Sequence, residues 1–185
     1  MNAGIHAFWR RIDLPGHDAA RLVPRGDGWK LEGYAAFREN GPTGLRYTVH
    51  LAADFATVGA TLVGHRAGRP IRHVFRRSNT EWWLDGEPVT GLRDLIHLDF
   101  GFTPATNLQP VLHADLAVGE EAEISAVWFD VGEPTLMRLP QRYKRVSADR
   151  YRYSSPTSGY EATLEMAASG FVRLYPDLWE MEPDA

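Results

Sequence analysis

The chain of 185 residues contains no cysteine. That excludes disulfide scaffolds, thiolate zinc sites, iron–sulfur clusters and cysteine nucleophiles. Lysine is nearly missing as well: there are 2 Lys against 18 Arg. Arg is the better reader of planar anions and stacks on aromatic rings, although biased codon usage accounts for the same imbalance. No apolar run approaches the ~18 residues of a membrane-spanning helix. The stretch from Met1 to Arg11 has no apolar segment after a basic start, so no secretory signal is read and the cytoplasm is the expected compartment. Sustained i, i+3, i+4, i+7 apolar stripes are also missing. Thr106 to Leu112 can make one helical turn, limited by Pro110. There is no Gly-x-Ser-x-Gly elbow, phosphate-binding glycine loop or dinucleotide fingerprint. The 7 histidines are scattered without metal-ligand spacing, so neither a metal nor a cofactor is expected.

What is present is ordinary for a soluble globular protein: 44% apolar residues, 24% charged residues and a net charge of −4. The length predicts one domain over residues 1–185. Charge is unevenly spread, with +3 in residues 1–92 and −7 in residues 93–185. This is not the balance of a polyanion binder, and no nucleic-acid partner is expected.

Strand periodicity dominates. Leu45, Tyr47, Val49 and Leu51 alternate with Arg46, Thr48 and His50. Residues 29–38 and 160–166 alternate in the same way, each predicting a half-buried strand. Ala122, Ile124, Ala126 and Trp128 continue the pattern in a run that is apolar on most of both faces, which predicts a central strand. Gly26-Asp27-Gly28, Asn40-Gly41-Pro42, Asp85-Gly86 and Gly132-Glu133-Pro134 supply turns between the runs. Each half reads as a meander. About a dozen strands exceed what a flat sheet usually carries, so an all-β fold with minor helix is expected, its antiparallel sheet curled into a roll or half-barrel.

The most distinctive block runs from Trp82 to Pro110. Trp82 and Trp83 are adjacent on a predicted strand and must point to opposite faces. Thr103-Pro104-Ala105-Thr106-Asn107 is a polar loop whose side chains can hold the backbone or orient a ligand head. Asp85 and Asp99 are two carboxylates of this block; with His97 they make an acid–base set only if the fold brings them together. His65 to Arg77 holds five Arg and no acid. It reads as a solvated hairpin, or as a phosphate or carboxylate reader. In Tyr143 to Tyr153, Tyr151 and Tyr153 share one strand face and Arg150 and Arg152 the other.

Taken in order, Trp83-Leu84-Asp85-Gly86, Leu98-Asp99-Phe100, Thr103-Pro104-Ala105-Thr106-Asn107, Pro110, Tyr143, Tyr151-Arg152-Tyr153-Ser154 and Gly170-Phe171-Val172 with Tyr175-Pro176 resemble the bacterial glycolipid-binding family, formerly a domain of unknown function. The resemblance covers nearly the whole chain and is strongest over residues 82–176. It implies a many-stranded antiparallel sheet rolled around an apolar cavity, similar in architecture to the half-barrel carriers of bacterial lipoproteins.

These readings converge on a non-catalytic binder of a glycolipid or similar amphiphile. The expected apolar lining is Trp82 or Trp83, Phe100, Phe102, Trp128, Tyr143 and Tyr153. The expected head-group contacts are Asp99, Thr106, Asn107 and Arg142. Two rivals stand beside this reading: a hydrolase of a sugar or lipid substrate using Asp85, Asp99 and His97, and a protein-interaction module using a sheet edge or outer face.

Overall fold

The computed structural model describes residues 4–78 and 81–183. Its first half is a long meander: β1 (Ile5–Arg11), β2 (Gly16–Arg25), β3 (Gly28–Arg38), β4 (Pro42–Leu51), β5 (Thr57–Arg66), β6 (Arg69–Arg77), β7 (Trp82–Leu84) and β8 (Glu87–Val89). A mixed segment follows, with β9 (Leu98–Phe100), a 3-10 turn (Ala105–Asn107), α1 (Leu108–Ala114), β10 (Glu121–Glu123), β11 (Ala126–Asp130) and β12 (Glu133–Leu139). A second meander closes the chain: β13 (Arg142–Arg145), β14 (Arg150–Ser155), β15 (Tyr160–Met166), β16 (Val172–Tyr175) and β17 (Trp179–Met181).

Fourteen of these strands form one antiparallel sheet, ordered β10-β13-β14-β15-β16-β17-β1-β2-β3-β4-β5-β6-β7-β8. The two meanders are joined where β17 pairs with β1, with Trp9 opposite Met181. The sheet does not close on itself: β10 and β8 are its edges. A second sheet, β12-β11-β9, contains a parallel pair, with Trp128 opposite Asp99.

Alternation dictates which face of the large sheet is buried. Leu31, Ala35, Phe37, Leu45, Tyr47, Val49, Leu62 and Phe75 face one side, and their neighbours in sequence face the other. The buried face is not hollow along its length. The segment from Leu92 to Val131 lies against it: Phe75 meets Phe100 and Phe129, and Tyr47 meets Phe100 and Phe102 in edge contacts of 4.9–6.0 Å. Residues 102–111 are all buried. Gln109 fastens this insert. Its Nε2 donates to Leu98 O, its Oε1 accepts from Thr57 Oγ1, and Thr57 Oγ1 accepts from Leu98 N.

Two expectations are corrected. The alternating run 122–128 is not one strand; it breaks into β10, at the edge of the large sheet, and β11, in the middle of the small one. The burial phase also changes at the break: Ala122 is the half-buried residue of β10, whereas Val127 and Phe129, not Trp128, are fully buried in β11. Pro110 does not restrict the helix to one turn. It sits in the first turn of α1, where its missing N–H has no intrahelical partner. Asp85 and Gly86 both have positive φ, 53° and 93°, and connect β7 to β8 as a tight two-residue turn.

Candidate functional site

A cavity of about 540 Å3 opens between β14–β17 on one side and the 99–107 loop with β11–β12 on the other. Its volume lies within the ~300–1,000 Å3 of small-molecule sites. Phe100, Trp128, Met137, Leu139, Leu178 and Trp179 give it an apolar wall. Tyr153, Ser155, Thr157, Ser158, Tyr160 and Tyr175 form a hydroxyl-bearing arc, and Asp99, Thr103 and Asn107 face it from the loop.

The polar groups are held in place by each other. Asp99 accepts hydrogen bonds from Thr106 Oγ1 at 3.0 Å and from Gln141 Nε2 at 2.8 Å. The same Thr106 oxygen accepts from Phe100 N, so one hydroxyl fixes both the strand and its carboxylate. Gln141 Nε2 also donates to the Tyr153 hydroxyl at 3.0 Å. Asn107 Nδ2 donates to the Tyr143 hydroxyl at 3.1 Å. Tyr143, Tyr153, Tyr160 and Tyr175 pack ring against ring at 5.0–6.1 Å.

Burial sets the protonation of this network. It raises Asp99 above the usual carboxylate range, against the opposing bonds from Thr106 and Gln141. It pushes Tyr153 up to about 12 and raises Tyr143, Tyr160 and Tyr175 as well. All four phenols therefore stay neutral, and that of Tyr160 donates to Pro176 O at 2.6 Å. Gly101 allows Trp128 to approach: a Cβ there would lie 2.9 Å from the indole Nε1.

The structure divides the sequence-predicted residues into groups. Asp99, Phe100, Asn107, Trp128 and Tyr153 line the cavity. Thr106 and Tyr143 stand directly behind the lining, bonded to Asp99 and Asn107. Phe102 is in the core, stacked on Phe100 at 5.0 Å. Trp82 is also in the core, its Nε1 donating to Leu95 O, while Trp83 takes the opposite face across from Arg76. Arg142 is exposed and pairs with Glu123 at 2.8 Å, not with the cavity.

The trio Asp85, Asp99 and His97 is not brought together. Asp85 sits in the β7–β8 turn, accepting from Val74 N and lying 2.7 Å from His73 Nδ1. His97 is buried against the His113 ring, 5.0 Å away, and neither it nor Asp85 lines the cavity. Burial pushes His97 down to about 4, assisted by His113.

Sequence reasoning missed Asp18. It is fully buried on β2, where it accepts from Tyr47 at 2.8 Å and from Thr103, a cavity-lining residue. Burial raises it to about 6. The signal was its phase: Asp18, Ala20 and Leu22 occupy alternate, inward positions.

Among the described residues, no three His, Asp or Glu side chains are grouped to hold a metal ion. No helix among them is long and apolar enough to cross a membrane.

Comparison with known proteins places this geometry. A crystal structure of a DUF1089 family protein from Pseudomonas aeruginosa is similar, with a TM-score of 0.78 and 23% identity, over 89% of this chain and 91% of that one. A β-barrel-like protein of the domain of unknown function DUF1849 from Brucella abortus is similar over 97% of this chain and 95% of its own, at 10% identity and a TM-score of 0.51. At these identities the likeness is one of fold. No curated protein matches the chain. The family model described as "Putative glycolipid-binding" matches residues 6–181, and the chain belongs to that family.

Proposed function

We propose that the protein is a non-catalytic binder of a glycolipid or a similar amphiphile, with residues 1–185 acting as one binding domain. The observation that carries this reading is the mixed lining of one cavity. Aliphatic and aromatic side chains, Trp128 among them, share it with phenols, hydroxyls, Asn107 and Asp99. An apolar chain gains from the apolar part of the lining about 25 cal/mol for each Å2 it removes from water. A hydroxyl-rich head finds donors and acceptors in the polar part, so its polar groups are not stranded.

The test is titration of the delipidated chain with a fluorophore-labelled alkyl glycoside, together with native mass spectrometry of the freshly purified protein. Saturable uptake at one site is expected, with loss of uptake in Trp128→Ala. No uptake by the delipidated chain, together with no co-purified lipid, overturns the reading.

A further inference from the structure

The outer face of the large sheet carries a second feature, independent of the cavity. Strand register places Phe8, Ala19, Tyr34, Arg46, Val63 and Arg72 side by side in one transverse row across β1 to β6. A parallel row holds Lys30, His50, Gly59, Arg76 and Trp83. All these side chains point away from the core, because their sequence neighbours are the buried ones. Phe8 is 48% exposed, Tyr34 60%, Val63 41% and Val58 52%.

The charge of this face is one-sided. Arg21, Lys30, Arg38, Arg46, Arg72 and Arg76 project from the outer side of β2–β6, and Glu32 is the one acid among the described residues there. Glu32 is nearly buried and is already bound by Arg21 and Lys30. Arg46 lies over the Tyr34 ring at 5.9 Å, so its guanidinium remains available beside an exposed aromatic. The rest of the chain is acidic, and the net charge of −4 would repel an anionic surface. Attraction would therefore act through this face.

We propose that the outer face of β1–β6 docks on an anionic lipid bilayer. Exposed rings and branched side chains among unneutralised arginines match an interface with an acyl boundary beneath a negatively charged head-group layer. A nucleic acid would use the arginines but would leave Phe8 and Val63, in the same row as Arg46 and Arg72, without a role. The Arg-rich segment 65–77 thereby divides by face. Arg72 and Arg76 belong to the docking surface, whereas Arg66 and Arg77 are tied down by bonds to Val131 O and to Leu95 O and Thr57 O.

Co-sedimentation of the full chain with vesicles tests this. Binding is expected to equimolar phosphatidylglycerol–phosphatidylcholine vesicles and not to pure phosphatidylcholine, and it should weaken at high salt. At about fivefold per cation, the triple variant Arg46→Glu, Arg72→Glu, Arg76→Glu should lose at least ~100-fold in partitioning. The charge-matched variant Arg150→Glu, Arg152→Glu, Arg173→Glu, on β14 and β16, should keep its binding, with circular dichroism confirming that both variants fold. Phe8→Ser with Tyr34→Ser should lower binding while leaving its salt dependence. Trp128→Ala should bind vesicles normally, which separates this proposal from the cavity reading. Equal loss in both triple variants, no preference for the anionic vesicles, or binding to duplex DNA without binding to vesicles overturns it.

Discussion

Asp18 and Thr103 are 85 positions apart and joined by a hydrogen bond, the Thr103 hydroxyl donating to the Asp18 carboxylate. The same Thr103 oxygen accepts from Ala105 N at 3.0 Å, at the start of the turn that presents Asn107. A buried group on β2 thus anchors the loop that bounds the cavity.

That anchor titrates. Burial raises Asp18 from its ordinary 3.8 to about 6, against the lowering effect of the Thr103, Tyr47 and Ala19 hydrogen bonds. Between these values the folded chain holds a proton that the unfolded chain has lost. Asp18 therefore costs stability as pH rises from about 4 to about 6, up to about 3 kcal/mol. Asp18→Asn should abolish this falling component, as read from urea midpoints over that range.

His97 acts in the opposite direction. Burial lowers it from 6.5 to about 4, so the unfolded chain binds the extra proton and stability rises with pH across that window. The two slopes oppose each other between about 4 and about 6. His97→Phe should expose the falling slope of Asp18, and Asp18→Asn the rising slope of His97. If both single variants show the parent's pH profile, the assignment fails.

Thr106→Val removes the hydroxyl that serves Asp99 and Phe100 N together. Two buried groups lose a partner while the shape is kept, at a cost of about 1–3 kcal/mol. For a chain of this size the melting temperature should fall by roughly 2–10 °C. Calorimetry reads the drop, and the ligand titration should weaken with it because Asp99 is no longer held.

Trp128 and Phe100 should separate binding from folding. Trp128 is only partly buried at the cavity wall, so Trp128→Ala should abolish ligand uptake with little loss of stability. Phe100 is fully buried among Tyr47, Phe75, Phe102 and Phe129, and Phe100→Ala should cost about 3–5 kcal/mol. Gly101→Ala should weaken uptake without touching the core, by displacing the indole of Trp128. Denaturation midpoints beside binding isotherms for the three variants distinguish these outcomes.

The long strands were legible because one of their faces is wet. Leu45, Tyr47, Val49 and Leu51 alternate with polar neighbours, and the Asp85-Gly86 turn announces itself chemically. The insert between Leu92 and Val131 was less legible. β9 and β11 are too short for their alternation to set a phase, and nothing local says that Phe100 and Phe102 pack against the buried face of the large sheet. The carboxylate of Leu98-Asp99-Phe100, the Thr-Pro-Ala-Thr-Asn loop and the Tyr ladder point in sequence to Asp99, Asn107 and Tyr153. Arg142 was misplaced because β13 gives its inward positions to Tyr143, leaving Arg142 on the outer side with Glu123. Ser155, Tyr160 and Tyr175 converge only through the sheet's curl, which residue spacing along the chain does not encode.

The seam between β1 and β17 has a consequence for synthesis. The partners of Trp9, Arg10 and Arg11 are Met181, Glu180 and Trp179, so the middle of the large sheet is made from residues about as far apart as the chain permits. On a ribosome, β1 must wait for its second neighbour: Glu180 is made 170 residues after Arg10. Until then Trp9, fully buried at the end, lacks the Val172 carbonyl and the Phe171 ring that cover it. Closing so large a loop is slow, and the waiting edge is open to wrong partners. The nascent chain is therefore most vulnerable to aggregation while the first meander is formed and β17 has yet to emerge.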